Sequence, residues 1–270
     1  MTGHDVAQLA RVQVTAASMP ALRVEALHKR YNGVEALAGL TFDVQQGEVF
    51  GLLGPNGAGK TTTINVIATL MRPSAGDVFV FGHSVRWEPA AVRPLVGVAL
   101  QDVALYPNLT ATENLRFLGR MYGMCRRDLE ERVHDSLTLV GLQSRRGDRV
   151  ATLSNGMKRR LSLAAAILHR PRLVLLDEAT VGIDPHSRED IVSVVCRLRG
   201  EGVAILYTSH YLAEAERVCD RVAIMDEGRI LAMGTLDALL AGRSSNEIVE
   251  SPRLSLEHLF LQLTAKGPRG

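Results

Sequence analysis

Val49-Phe50-Gly51-Leu52-Leu53-Gly54-Pro55-Asn56-Gly57-Ala58-Gly59-Lys60-Thr61-Thr62 opens with an unbroken apolar run, as expected of a parallel strand buried on both faces. The run passes directly into Gly54 to Thr61, which fits the spacing G-x-x-x-x-G-K-[ST], and Thr61 to Leu70 then predicts a helix. Strand, glycine loop and helix in that order are the context in which the motif holds phosphate. Glycines let successive backbone N–H groups turn inward around an anion, and the following helix points its positive end at the same place. Lys60 supplies a mobile charge for the outer phosphates, and Thr61 a hydroxyl for Mg²⁺. A glycine-rich turn standing before Lys-Thr by chance would not have both flanking elements in place.

A loop of this kind needs an acid for the metal. Leu173-Val174-Leu175-Leu176-Asp177-Glu178 is an apolar strand ending in two carboxylates, which puts Asp177 at the carboxyl edge of a sheet, where ligands of such folds bind. Asp177 is the candidate for Mg²⁺, and Glu178 the candidate for polarising an attacking water. Alone, an acidic pair at a strand end is more often a cap for the next helix; the glycine loop tips the balance. His210 follows the strand Val203 to Tyr207 and two hydroxyl residues, Thr208 and Ser209, so it falls at the same edge, within reach of a γ-phosphate. The other histidines show no ligand spacing that would make a metal site.

Working outward, Leu22 to Leu27 and Leu40 to Val44 alternate apolar with polar residues, as half-buried antiparallel strands do, with Asn32-Gly33 as turn chemistry between them. From about Thr110 to Leu168 the period becomes helical, with Leu115, Leu118 and Met121 in one stretch and Leu129, Val133, Leu137 and Val140 in the next. Strands return at Leu173 to Leu176, Val203 to Tyr207 and Val222 to Met225, with a helix beginning at Pro185. The alternation predicts an α/β fold: a P-loop NTPase core with a parallel sheet, an N-terminal antiparallel β subdomain and an inserted α-helical subdomain at about 105–168. Residues 1–20 read as a flexible tail, 21–242 as the nucleotide-binding domain and 243–270 as a short extension. The extension predicts a strand from about Asn246 and an amphipathic helix with Leu256, Leu259, Phe260 and Leu263 on its apolar face, read as packing surface. No internal repeat is visible.

Composition limits the function classes. The chain has 270 residues, 46% hydrophobic and 22% charged, enough for a proper core, and its 24 Gly and 10 Pro exclude collagen-like and low-complexity readings. Lys+Arg 31 against Asp+Glu 29 gives a net charge of +2, too balanced to point to a nucleic acid partner. Cys125, Cys196 and Cys219 form no CxxC pair, so neither a disulfide framework nor a zinc site is indicated, and a reducing compartment fits. The richest apolar run, Leu161 to Leu168, falls far short of the roughly 18 residues of a membrane span. Met1 to Pro20 lacks the apolar stretch of a secretory signal.

From Leu22 to Gly242 the chain resembles the nucleotide-binding subunits of ATP-binding-cassette (ABC) transporters. Beyond the two phosphate motifs, Leu153-Ser154-Asn155-Gly156-Met157 is similar to the family signature, Gln101 to its Q-loop glutamine, Asp184 to its D-loop aspartate, and Tyr31 to the aromatic that stacks on adenine. The resemblance implies an ATPase using ATP and Mg²⁺. Gly54, Pro55, Asn56, Gly57, Ala58, Gly59, Lys60, Thr61 and Thr62 then line the nucleotide. Glu178, His210, Lys60 and Gln101 serve the chemistry, and Thr61, Gln101 and Asp177 the metal. It further implies that two copies, or this chain and a homologous subunit, face each other head to tail, each ATP held by one loop and by the partner's Ser154, Asn155, Gly156 and Asp184. An integral membrane permease is the implied partner, with the chain cytoplasmic and peripheral on the inner face of the membrane.

Three departures accompany the resemblance. Asn155 stands where the family usually has Gly, Met157 where many members have Gln, and Ala179 where Pro is usual; Asn tolerates left-handed backbone, so the signature loop is expected to form. Met157-Lys158-Arg159-Arg160-Leu161, Thr208-Ser209-His210-Tyr211 and Glu214-Ala215-Glu216 are similar to the bacterial export branch that moves drugs, lipids or polysaccharides. Two other readings stay open: a soluble cassette ATPase acting on nucleic acid or ribosomes, disfavoured by a single P-loop and no sustained heptads, and a regulatory nucleotide binder with little turnover, against which Glu178 argues.

Overall fold

The computed structural model describes residues 19–101 and 104–241, together with 256, 260, 263 and 264. Strands β1 (Leu22–Tyr31) and β2 (Val34–Val44) are joined by Asn32-Gly33, both at positive φ, 47° and 89°. Two left-handed residues give the turn whose twist matches a hairpin. They lengthen the expected strands toward one another, from Leu27 to Tyr31 and from Leu40 back to Val34. β3 (Val49–Leu53) is buried at every position and runs through the glycine loop into α1 (Lys60–Ile67). That helix stops short of Leu70 because Thr69 turns left-handed at φ 60°, and the N–H groups of Leu70 and Met71 fold back onto the Asn65 carbonyl.

β4 (Ala75–Val80) and β5 (His83–Ser84) rejoin the antiparallel sheet; after α2 (Pro89–Val92), β6 (Val96–Ala99) enters a second one. Three helices, α3 (Ala111–Met121), α4 (Arg126–Leu139) and α5 (Asn155–Ile167), fill the interval before β7 (Leu173–Asp177). α3 begins on a capping box in which the Thr110 hydroxyl accepts from the Glu113 N–H and the Glu113 carboxylate accepts from the Thr110 N–H. The described chain then continues through α6 (Pro185–Gly200), β8 (Ala204–Ser209), α7 (Leu212–Val218), β9 (Arg221–Asp226), β10 (Arg229–Thr235) and α8 (Leu236–Ala241). β4, β5, β6 and β10 were not among the expected strands. β5 and β6 are two and four residues long, and β10 alternates half-buried with exposed residues at the sheet edge, so none of these three carries a strong apolar signal.

The first sheet has the order β2-β1-β4-β5 with antiparallel pairing, and the second the order β10-β9-β3-β8-β7-β6. From β9 to β6 the second sheet is parallel; β10 closes it antiparallel to β9. Along its central strands successive side chains enter different cores. Leu173, Leu175, Leu206 and Phe50 pack toward α1 and the antiparallel sheet, while Val174, Leu176, Ile205 and Tyr207 pack toward helices α3 to α7. This two-sided burial is why the strands read as continuous apolar runs. Leu256 is fully buried in the second core, with Phe260 and Leu263 packed against it, in keeping with a packing surface. Leu259 and the expected strand from Asn246 lie outside the described residues, as does most of the tail 1–20.

Candidate active site

The strand order sets the site. β8 lies between β3 and β7, so the ends of three neighbouring parallel strands bring together the glycine loop, the Asp177-Glu178 pair and Ser209-His210. The loop keeps its shape through close backbone approach. At Gly54 a Cβ would collide with the Met225 carbonyl oxygen. Gly59 sits at φ 105°, where a Cβ would also meet the Ala36 carbonyl oxygen at 2.8 Å. The loop is stapled to its surroundings by the Gly228 N–H donating to the Ala58 carbonyl at 3.0 Å, and by the Ala38 N–H donating to the Gly228 carbonyl at 2.9 Å. The cradle is therefore glycine by packing as well as by conformation, which suits a loop that wraps phosphate with its amides.

Lys60 is only 5% exposed; its Nζ donates to the carbonyls of Gly54 at 2.9 Å and Pro55 at 3.0 Å and lies 3.5 Å from Glu178 Oε1. Thr61 is exposed beside it, and Thr62 is half-buried. Asp177 is fully buried. Its Oδ1 accepts from the Thr208 hydroxyl at 2.7 Å, while its Oδ2 has no hydrogen-bond partner among the described residues. A buried carboxylate oxygen left unpaired is expensive, and a hard cation that prefers oxygen donors satisfies it. The donor set of Asp177 and Thr61 thus fits Mg²⁺.

Glu178 adopts a left-handed backbone, φ 48°, with its N–H donating to Thr208 Oγ1 at 3.0 Å. Its carboxylate Oε1 stands 3.5 Å from His210 Nδ1, and the His210 ring tilts onto Tyr211 with centroids 4.3 Å apart. Thr208 pairs directly with Asp177 in the β7–β8 register. One buried hydroxyl therefore holds both carboxylate residues, a role that the sequence reading did not assign. The sequence shows only a hydroxyl residue near the end of the strand before His210, and nothing local marks it as the partner of residues 30 and 31 positions away.

Tyr31, at the end of β1, is partly exposed, its hydroxyl donating to Met71 Sδ and Lys29 Nζ lying 5.2 Å from its ring centroid. Ser154 caps α5 by accepting from the Met157 N–H at 3.2 Å, and Asn155 is the first residue of that helix. Asn155 is not among the residues at positive φ, so its tolerance of left-handed backbone is not what lets the signature form. Gly156 is buried against the neighbouring cap, where a Cβ would collide with the Ser187 hydroxyl. That cap is Asp184, whose carboxylate accepts from the Ser187 N–H at 2.9 Å and hydroxyl at 2.7 Å; these bonds hold its pKa below the ordinary value. Signature and Asp184 thus form one patch, and within the chain no hydrogen bond among the described residues links Ser154, Asn155 or Gly156 to the glycine loop. Gln101 is exposed past β6 and is not joined by hydrogen bond to Asp177 or Glu178 among the described residues; residues 102–103 lie outside them.

Fold and site together define a P-loop nucleoside triphosphatase. The family model for ABC transporters matches residues 37–181. A linearmycin-resistance ATP-binding protein of Bacillus subtilis (strain 168) is 41% identical over 240 residues, 89% of this chain and 77% of its own length. A daunorubicin/doxorubicin-resistance ATP-binding protein of Streptomyces peucetius is 43% identical over 226 residues, 84% and 68% of the respective lengths. Among solved structures, an ATP-binding subunit of an ABC transporter superposes with a TM-score of 0.80 at 33% identity, covering 90% of this chain and 99% of that one. The chain belongs to the ABC transporter family: it is an ATP-binding subunit of the transporter kind and an ATPase, a reading that the relatives favour over a cassette acting on nucleic acid or ribosomes. Among the described residues no helix is long and apolar enough to cross a membrane.

Proposed function

We propose that this subunit powers an exporter, with Glu178 as the base of ATP hydrolysis. The observation that carries the reading is the convergence of Lys60 and His210 on Glu178, with Oδ2 of the preceding residue, Asp177, left for a cation. The loop amides from Gly54 to Thr62 and Lys60 Nζ bind the phosphates, and Tyr31 offers its ring to the adenine. Asp177 and Thr61 hold Mg²⁺, with Gln101 completing the set; the metal supplies charge neutralisation for the phosphates. Glu178 Oε1 orients a water and takes its proton as the water oxygen bonds to the γ-phosphorus and the bond from that phosphorus to the ADP oxygen breaks, giving ADP and phosphate. His210, whose Nδ1 stands 3.5 Å from Glu178 Oε1, steadies the γ-phosphate.

Ser154, the amides of Asn155 and Gly156, and Asp184 are assigned to the ATP of a second subunit, because within one chain they form a patch apart from the loop. A helix N-terminus capped by Ser154 is suited to an anion brought by that partner. The drug-resistance names of the relatives support export, and the motifs after Asn155 and Thr208 agree with it. A separate membrane permease and a position on the cytoplasmic face complete the proposal.

Glu178→Gln tests the reading. Turnover falls by on the order of a hundredfold or more, the usual worth of a positioned base. ATP binding persists, so the variant elutes as a dimer with Mg²⁺-ATP and as a monomer with ADP. Wild-type turnover would remove Glu178 from the chemistry, and a dimer indifferent to nucleotide would sink the ATP-driven association.

A further inference from the structure

Two residues past Glu178, the Thr180 hydroxyl donates to Glu214 Oε2 at 2.7 Å, and Tyr207 Oη lies 3.5 Å from the same hydroxyl. All three groups are buried, Thr180 at 1%, Glu214 at 6% and Tyr207 at 0% exposure. Glu214 makes no ion pair among the described residues, and its Oε1 has no hydrogen-bond partner there. Tyr207 stays a neutral phenol, since burial and then the neighbouring Glu214 push its pKa well up. A carboxyl group buried without a cation costs stability that an apolar residue would not. Its position shows what it does. Thr180 lies on the turn between Glu178 and Asp184, and Glu214 on α7, the helix that follows His210. The bond therefore ties the segment bearing Glu178 to the segment bearing His210.

Glu178 needs such an anchor, because a non-glycine residue at φ 48° persists only where its surroundings hold it. On its amino side Thr208 fixes the N–H; on its carboxyl side the Val181 N–H donates to the Glu178 carbonyl at 3.1 Å, and Thr180 is pinned to α7. We infer that Glu214, through Thr180, is a positioning residue for hydrolysis: it holds the Glu178 carboxylate at its distance from Lys60 and His210. The inference rests on Glu178 as the base.

The test is a double-mutant cycle on the full chain, reading kcat, KM for Mg²⁺-ATP and melting temperature. Thr180→Val, which keeps shape and loses the donor, lowers kcat about tenfold or more with KM changed by less than about threefold. Thr180→Ser restores kcat to within about threefold of wild type, and Glu214→Gln, whose amide oxygen still accepts, does the same. In the Glu178→Gln background Thr180→Val changes the residual rate by less than about twofold, because the group it positions is gone. A wild-type kcat in Thr180→Val, or an equal fall in both backgrounds, overturns the positioning role while leaving Glu178 as base. Wild-type turnover of Glu178→Gln alone would instead overturn the reading beneath it. If Thr180→Val fails to fold, Glu214→Gln against Glu214→Ala repeats the comparison: a kcat equally low in both would refute the inference.

Discussion

Lys60 is held against two loop carbonyls and beside Glu178, so its charge is aimed before it is used. Lys60→Ala removes a charge-assisted contact worth about 1.5 to 3 kcal/mol on the phosphates. ATP affinity measured by calorimetry falls by roughly ten- to over a hundredfold, while the cradle, shaped by Gly54 and Gly59 against Met225 and Ala36, keeps its form; an unchanged affinity would exclude Lys60 from the pocket. This residue was legible because everything that defines it, strand, glycines and helix, is contiguous. The same holds for Asp177 and Glu178 at the end of an apolar run. Thr208 was not legible as their anchor, nor Glu214 as the partner of Thr180, since those hydrogen bonds join residues 31 and 34 positions apart. No local pattern distinguishes a buried hydroxyl that holds a carboxylate from one that merely fits a strand.

Single elements can be probed where they meet. His169, just past α5, donates from Nε2 to the Val96 carbonyl of β6 and stacks on Tyr122, centroids 3.8 Å apart, at the end of α3. Burial holds its pKa below the ordinary 6.5, so folding favours the neutral ring. The stabilisation is complete above that value and is lost as pH falls through the lower, folded-state pKa. Thermal melts between about pH 7 and pH 5 should therefore show a decline that is shallower in His169→Gln; parallel declines would assign the loss elsewhere. Leu175, fully buried in β7 under α1 and the antiparallel sheet, gives the packing counterpart. Leu175→Ala costs about 2 to 5 kcal/mol in chemical denaturation, by lost burial and the cavity left behind, and a loss below about 1 kcal/mol would mean that the site collapses freely. β3, β7 and β8 were readable because burial on both faces makes them apolar throughout. β6 and β10 escaped because one is short and the other is an edge strand whose residues answer to water as much as to the core.

For the whole molecule the question is what one chain can complete by itself. Its glycine loop, carboxylates and histidine share one sheet edge, whereas Ser154 to Gly156 and Asp184 share a different patch, closed by Gly156 against Ser187. Gly156→Ala forces a methyl group into that contact, so the patch must shift while the loop is untouched. ATP affinity of the isolated subunit stays within about twofold, and ATP-dependent dimerisation and turnover fall by about tenfold or more; a comparable loss of monomer affinity would place the signature on its own nucleotide. Asn155→Gly, at a position without left-handed strain, should leave monomer affinity alone in the same measurement. The amino-acid sequence by itself determined the class of this protein, because phosphate binding needs glycines, a lysine and a helix start in one short stretch, and such local chemistry is written in neighbouring letters. Only the tertiary structure decided that Asp177 keeps an unpaired oxygen, that Glu178 is held left-handed between Thr208 and the Thr180–Glu214 bond, and that the signature packs on Asp184's cap. Those features arise where strands and helices distant in sequence are pressed together, and burial there sets a cost for every polar atom that no reading along the chain can assign.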